Sequence, residues 1–268
     1  MKQAINNFSN ERMISMKRTL TITLLSLVTA LSVSAQSMQR ISLSKESSKA
    51  ETPPSVDQIL DKFVNALGGE AAIKKITSRA TKGTIEIPAA GLKGQIETYS
   101  KAPDKFFTVV MIENVGEFKT GSDGKIVWSI DPQNGLRELK GTELLQSKRR
   151  GDIYGFLNLK KNFSKMEVKG MEKVSGQDAY VIEATPPEGT AQKLYFDAAS
   201  GLLVRWDIVA VTPQGDFPTQ NFFGDYREVD GVKLVFSTRF EGATGSYTIN
   251  IEEVKNNVPI DDAKFNKP

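Results

Sequence analysis

From Ala80 onward, polar and apolar positions alternate with a period of two in runs bounded by turn residues. The pattern predicts strands at about 80–88, 94–101, 105–113, 115–121, 125–131 and 135–139. It resumes at about 165–173, 177–185, 191–197, 202–212, 220–229, 232–241 and 246–254. The separators carry turn chemistry, as in Ser122-Asp123-Gly124, Asn134-Gly135, Ser175-Gly176, Ser200-Gly201 and Asp230-Gly231. Short strands joined by tight turns build an antiparallel meander rather than βαβ units. Ahead of them Val56, Ile59, Leu60, Phe63, Val64 and Leu67 recur at helical spacing after Ser55, and Gly68-Gly69 closes that helix. A shorter helical turn follows from Glu70 to Ile76. The break in the meander, Gly141 to Phe163, reads as two short amphipathic helical pieces parted near Gly151. Helices inserted there lie on a face of the sheet or plug its open side.

Some strands are apolar on both faces. In Phe106-Phe107-Thr108-Val109-Val110-Met111-Ile112 both alternating sets are largely hydrophobic. Leu202 to Val211 likewise splits into Leu203, Val209 and Val211 against Leu202, Val204, Trp206, Ile208 and Ala210. A sheet with one wet face alternates cleanly, so these strands are covered on both sides. Two accounts fit: a sheet buried by its helices, or one face lining an apolar cavity. Alternation marks Phe107, Val109, Met111, Trp128, Tyr195 and Trp206 as cavity lining, with Leu144, Leu145, Phe156 and Leu157 as the lid.

Charge patterning changes the picture at the N-terminus. Met16-Lys17-Arg18 precedes an apolar run from Leu20 to Val33, and Val33-Ser34-Ala35 has the small residues a signal peptidase requires. Residues 1–35 are therefore expected to be a cleaved signal peptide, with Met16 a good initiator in its own right. The formal charge of the chain is +3. Residues 1–35 hold Lys2, Arg12, Lys17 and Arg18 against the single acid Glu11, so the remainder is formally neutral. A nucleic-acid partner needs a concentrated basic face, and none is left. Residues 36–55 are rich in Ser, Lys and Glu and end in Pro53-Pro54, the composition of a disordered linker, which leaves 56–268 as the folded domain.

The 268 residues include neither histidine nor cysteine. That excludes imidazole catalysis, Ser-His-Asp triads, histidine-ligated zinc, thiolate nucleophiles, iron–sulfur clusters, disulfides and acylated cysteine anchors. Glu183, Asp197, Asp207, Asp225 and Glu241 sit on or beside strands, and a carbohydrate-active enzyme would need two of them facing across a cleft. Nothing in the spacing fixes such a pair. Gly121-Ser122-Asp123-Gly124-Lys125 joins two strands and opens no helix, so it reads as a turn rather than a phosphate loop. Lys148-Arg149-Arg150, with Lys160-Lys161, is the one local basic cluster, a solvated helix face or a contact for anionic headgroups.

Three stretches together resemble a known family. They are Leu194-Tyr195-Phe196-Asp197-Ala198-Ala199-Ser200-Gly201-Leu202-Leu203-Val204-Arg205, Gly224-Asp225-Tyr226-Arg227-Glu228-Val229-Asp230-Gly231-Val232-Lys233-Leu234, and Glu253 to Phe265 with its Val258-Pro259. The pattern is similar to the LolA/LolB-like lipoprotein-sorting superfamily, most closely an exported, acidobacterial-type branch, over roughly residues 56–267. The resemblance implies a mainly β (α+β) fold. Its core is an unclosed antiparallel half-barrel of about eleven strands, with an N-terminal helix and a helical insert covering the concave face. It also implies a soluble periplasmic carrier without catalytic residues, metal or cofactor. Its partner would be a lipid, acyl chain or lipoprotein, with contacts to an envelope protein and, transiently, to a membrane surface. An envelope interaction or sensing module with a dry core is the rival. Arg205 lies in a matching strand motif, but that alone does not make it the latch known between barrel and lid in the carriers.

Overall fold

The structure, a computed structural model, describes residues 53–268 apart from Thr244. The expected signal peptide and all but the last residues of the expected linker lie outside the described residues. Helix α1 (Val56–Ala66) starts on a capping box: Ser55 Oγ accepts from the Gln58 amide at 3.2 Å, and Gln58 Oε1 accepts from the Ser55 amide at 2.8 Å. It ends where Gly68 takes φ +116° against the backbone of Gly231, a position with no room for a Cβ. Helix α2 (Glu70–Lys74) follows.

Six strands then run in a meander: β1 (Ser78–Ile87), β2 (Leu92–Lys101), β3 (Lys105–Ile112), β4 (Gly116–Ser122), β5 (Val127–Asp131) and β6 (Gly135–Glu138). Helix α3 (Gly141–Gly151) interrupts. Seven more strands complete the sheet: β7 (Lys165–Val174), β8 (Gln177–Thr185), β9 (Gln192–Asp197), β10 (Leu203–Thr212), β11 (Gly215–Val229), β12 (Val232–Gly242) and β13 (Gly245–Asn256). Every neighbouring pair is antiparallel, in the order β6-β5-β4-β3-β2-β1-β13-β12-β11-β10-β9-β8-β7. The thirteen strands match the segments that alternation marks and exceed the eleven of the resemblance. The sheet is unclosed, with β6 and β7 as its edges.

The second expected helical piece is absent as a helix. Asp152 Oδ1 accepts from the Tyr154 amide at 2.8 Å and Asn158 Nδ2 donates to Asp152 Oδ2 at 2.9 Å. These side-chain bonds hold 152–158 in turns, and only a 3-10 turn, Leu159–Asn162, follows.

Helix α3 reveals how strongly the sheet curls. It touches β3 and β5 on one side and β10 on the other. β3 and β10 are six strand steps apart, about 29 Å along a flat sheet. An 11-residue helix is only about 16 Å long. The sheet therefore bends into a trough, with α3 across its open side.

The trough is filled at one flank. Ile59, Leu60 and Phe63 of α1 pack on Ile182, Ala184, Leu194, Phe196 and Leu203 of β8–β10, and Phe63 meets Phe196 edge-on at 5.2 Å. The last five are all 0% exposed. A filled core of this kind stabilises by roughly 1.5–3 kcal/mol per large apolar side chain.

Candidate functional site

Residues directly opposite on antiparallel strands share a face, so the registers define the inner surface of the trough. Phe106 of β3 packs under Gly151 of α3, closely enough to leave no space for a Cβ there, and this marks the inner face. Across the sheet the same face carries Ile85 and Gly83 of β1, Ile96 and Thr98 of β2, and Thr108 and Val110 of β3. It continues with Phe118 and Thr120 of β4, Phe240 and Thr238 of β12, and Tyr247 and Ile249 of β13. Several of these, including Thr98, Val110, Phe118, Phe240 and Ile249, stay half-buried on this concave face. The buried residues of α3 are Gln146, Ser147 and Gly151, and its Leu144 packs on Phe106, Val127 and Leu139.

The expected lining is divided by the sheet. Trp206 faces inward, opposite Leu194, and its indole donates to Gln192 Oε1 at 2.9 Å. Phe107, Val109 and Met111 alternate with Phe106 and so face outward. Val109 stands opposite Glu97 and Lys119, and Met111 is 58% exposed. Trp128 packs on Phe107 at 5.9 Å and donates to the Phe265 carbonyl at 3.2 Å, on the same outer face. Tyr195 also points outward, into a cluster with Val174, Ala179 and Val181, and donates to Asp207 Oδ2 at 3.1 Å. Burial, with the charge of Asp207 behind it, pushes this phenol up to about 12. In β10 a register shift between Leu203 and Arg205 puts Leu203 on the side of Trp206, not with Val209 as strict alternation expects.

The expected lid residues lie on the segment that bridges the trough, but as packed side chains. Leu144 sits on Phe106, Val127 and Leu139. Phe156 meets Phe63 at 5.3 Å, and Leu157 joins the same α1 core. Leu145 of α3 is half-buried. Two polar contacts fix α3. Arg137 of β6 donates both terminal nitrogens to Glu143 at 2.7 Å, and this bond holds Arg137 above its usual range. Beyond the last residue of β9 paired with it, β10 exposes free backbone groups. Gln146 satisfies them: Nε2 donates to the Val209 carbonyl at 2.7 Å and Oε1 accepts from the Val211 amide at 3.2 Å. The side-chain amide thus stands in for the missing strand, a role that periodicity does not mark. Arg205 is bound to Asp207 of its own strand and touches no residue of α3 through an ion pair.

Charge separates the two faces. On the outer face Lys82 pairs with Glu97, Lys119 with Glu117, Lys255 with Glu253, Arg205 with Asp207 and Arg239 with Glu241. A pocket of about 460 Å³ lined in part by Asp207, Gln220 and Glu241 borders this face. The other candidate carboxylates are also engaged: Glu183 with Lys169, Asp225 with Arg227, and Asp197 with Ser200. Among the described residues no three of Asp and Glu gather to hold a metal ion. Of the basic cluster, Lys148 is exposed, Arg149 lies over the Phe163 ring at 5.7 Å, and Lys160 reaches Asp57.

A curled, unclosed antiparallel sheet with a helix-bearing insert across its concave side is a LolA/LolB-like fold. A LolA superfamily protein from Nitrosomonas europaea shares it at 12% identity and TM-score 0.53, over 80% of this chain and 98% of that one. A DUF1329 family protein from Desulfovibrio piger does so at 20% identity and TM-score 0.54, over 79% of this chain and 97% of that one. No protein-family profile matches the chain, and no curated protein matches it. No described helix is long and apolar enough to cross a membrane.

Proposed function

We propose that this protein is an exported, non-enzymatic carrier that holds the acyl chain of a lipid or lipoprotein in the trough beneath α3. The observation that carries the reading is the half-buried apolar surface formed by Val110, Phe118, Phe240 and Ile249 on the concave face of the trough that α3 bridges. An apolar wall left facing a hollow gains free energy when an apolar chain covers it, about 0.8 kcal/mol per CH₂. The LolA-like fold supports the same reading, and the residue set shifts inward from that expected by alternation. Trp206 remains, while the even-numbered residues of β3 replace Phe107, Val109 and Met111. The periplasm is the proposed compartment, reached through residues 1–35.

Native mass spectrometry of the purified protein, followed by organic extraction, tests this. A co-purifying lipid or acylated peptide is the expected result. A clean apo mass together with no uptake of a fluorescent fatty acid overturns the carrier and favours the dry docking module.

A further inference from the structure

The inner face contains a charge imbalance that acyl-chain binding alone does not use. Arg150 lies one helical turn after the buried Gln146 and Ser147 and beside Gly151, which sits on Phe106, so it stands on the sheet-facing side of α3, and desolvation there draws its guanidinium below the usual arginine range. Yet its side chain keeps an exposed surface. A sheet-facing side chain that keeps its exposure extends along the open side of the trough rather than into a packed core. Its charge is felt there by Tyr247, which stacks on Phe240 at 4.4 Å on the floor of the trough. Glu143 lies within electrostatic reach of Arg150 but is engaged bidentately by Arg137.

A second arginine enters the same space. Arg79 of β1 shares the inner face with Ser100 and Phe106. Its Nε donates to Asn256 Oδ1 at 2.8 Å, a neutral partner, and burial lowers it to about 10. Among the described residues neither Arg79 nor Arg150 has a carboxylate within 4.0 Å. Most strand cations of the outer face are paired with a carboxylate, whereas Arg79 and Arg150 are not. Desolvating a guanidinium costs free energy that an anion placed beside it recovers, and its planar donor set fits carboxylate or phosphate.

We propose that the trough selects amphiphiles with an anionic head, carboxylate or phosphate, and that Arg150 binds this head while the tail lies along Val110, Phe118 and Ile249. The proposal rests on the carrier reading and adds the head-group class to it. Arg79, tied to Asn256, contributes field rather than direct contact.

The test uses three ligands with one tail: oleate, oleyl phosphate and oleyl alcohol. Each is titrated calorimetrically into the wild-type protein and into Arg150→Gln and Arg150→Lys. The wild type is expected to bind at least one of the two anions about tenfold or more tighter than the alcohol, the scale of one charge-assisted hydrogen bond. Arg150→Gln loses that preference with its affinity for the alcohol unchanged, and Arg150→Lys keeps part of it. Whichever anion binds tighter names the head, and either order supports the proposal. Equal binding of all three ligands by the wild type overturns it and leaves the carrier intact. So does a Gln variant that keeps the preference, or one that weakens all three ligands alike. Binding of none of the three overturns the carrier reading itself.

Discussion

Strands β8–β10 and strands β1–β4 belong to one sheet and both turn apolar residues inward, yet the first flank is fully buried and the second keeps several apolar residues half-exposed. The difference comes from the helices laid over them. Helix α1 brings Ile59, Leu60 and Phe63 down onto Ile182, Leu194 and Phe196, which are fully buried. Helix α3 sets Leu144 on Phe106, Val127 and Leu139, while Val110 and Phe118, farther along their strands, keep part of their surface. Strand hydrophobicity alone does not decide whether a concave sheet encloses a core or a site. What packs onto each stretch of the sheet decides it.

The contrast breaks most visibly at Phe63. Phe63→Ala opens a cavity between α1 and β9 and is expected to cost about 3–5 kcal/mol in urea unfolding, with little collapse around rigid neighbours. Gln146→Ala is next. It leaves the Val209 carbonyl and the Val211 amide without their partner, at about 1–3 kcal/mol, and hydrogen exchange at Val211 should accelerate. Val110→Ala removes atoms that are already half-exposed, so the same assay should register under about 1 kcal/mol. A loss as large as that of Phe63→Ala would mean that the two flanks are packed alike.

The smallest effect is electrostatic. Burial raises the Tyr247 phenol and the positive charge of Arg150 opposes that rise. A cation favours the phenolate, so Arg150→Gln should move Tyr247 further upward in an alkaline spectrophotometric titration. An unchanged or lowered phenol would remove Arg150 from the floor of the trough.

Much of the fold is legible in the chain because its signals are local. The thirteen alternating runs, the Asp-Gly and Ser-Gly turns, and the Ser55 start and Gly68-Gly69 end of α1 each depend on a few adjacent residues. The inner face is not legible, for a long-range reason. On β3 the outward set, Phe107 with Val109 and Met111, is as apolar as the inward set. The C-terminal segment accounts for part of that pattern: Phe265 is fully buried beside Trp128, and Lys264 lies 4.0 Å from the Tyr99 ring and 5.7 Å from that of Phe107. Asp262, bound to Lys101 at 2.7 Å and Lys105 at 2.9 Å, fastens that segment. A strand covered on both sides gives period two no preference between faces. On β10 the register shift near Val204 inverts the parity partway along, which separates Tyr195 from Trp206. Arg150 is visible in the sequence only as one of three consecutive cations. Its entry into the trough depends on where α3 is fixed by Gln146 and by the Arg137–Glu143 pair.

The proposed acyl-chain site is tested most directly by filling it. Val110→Trp places a large apolar side chain where the acyl chain is proposed to lie. The account predicts a folded protein with near wild-type unfolding midpoint that no longer takes up a fluorescent fatty acid. Undiminished uptake by the folded variant, or a loss of stability of the size expected from overpacking a filled core, about 1–3 kcal/mol, would contradict it.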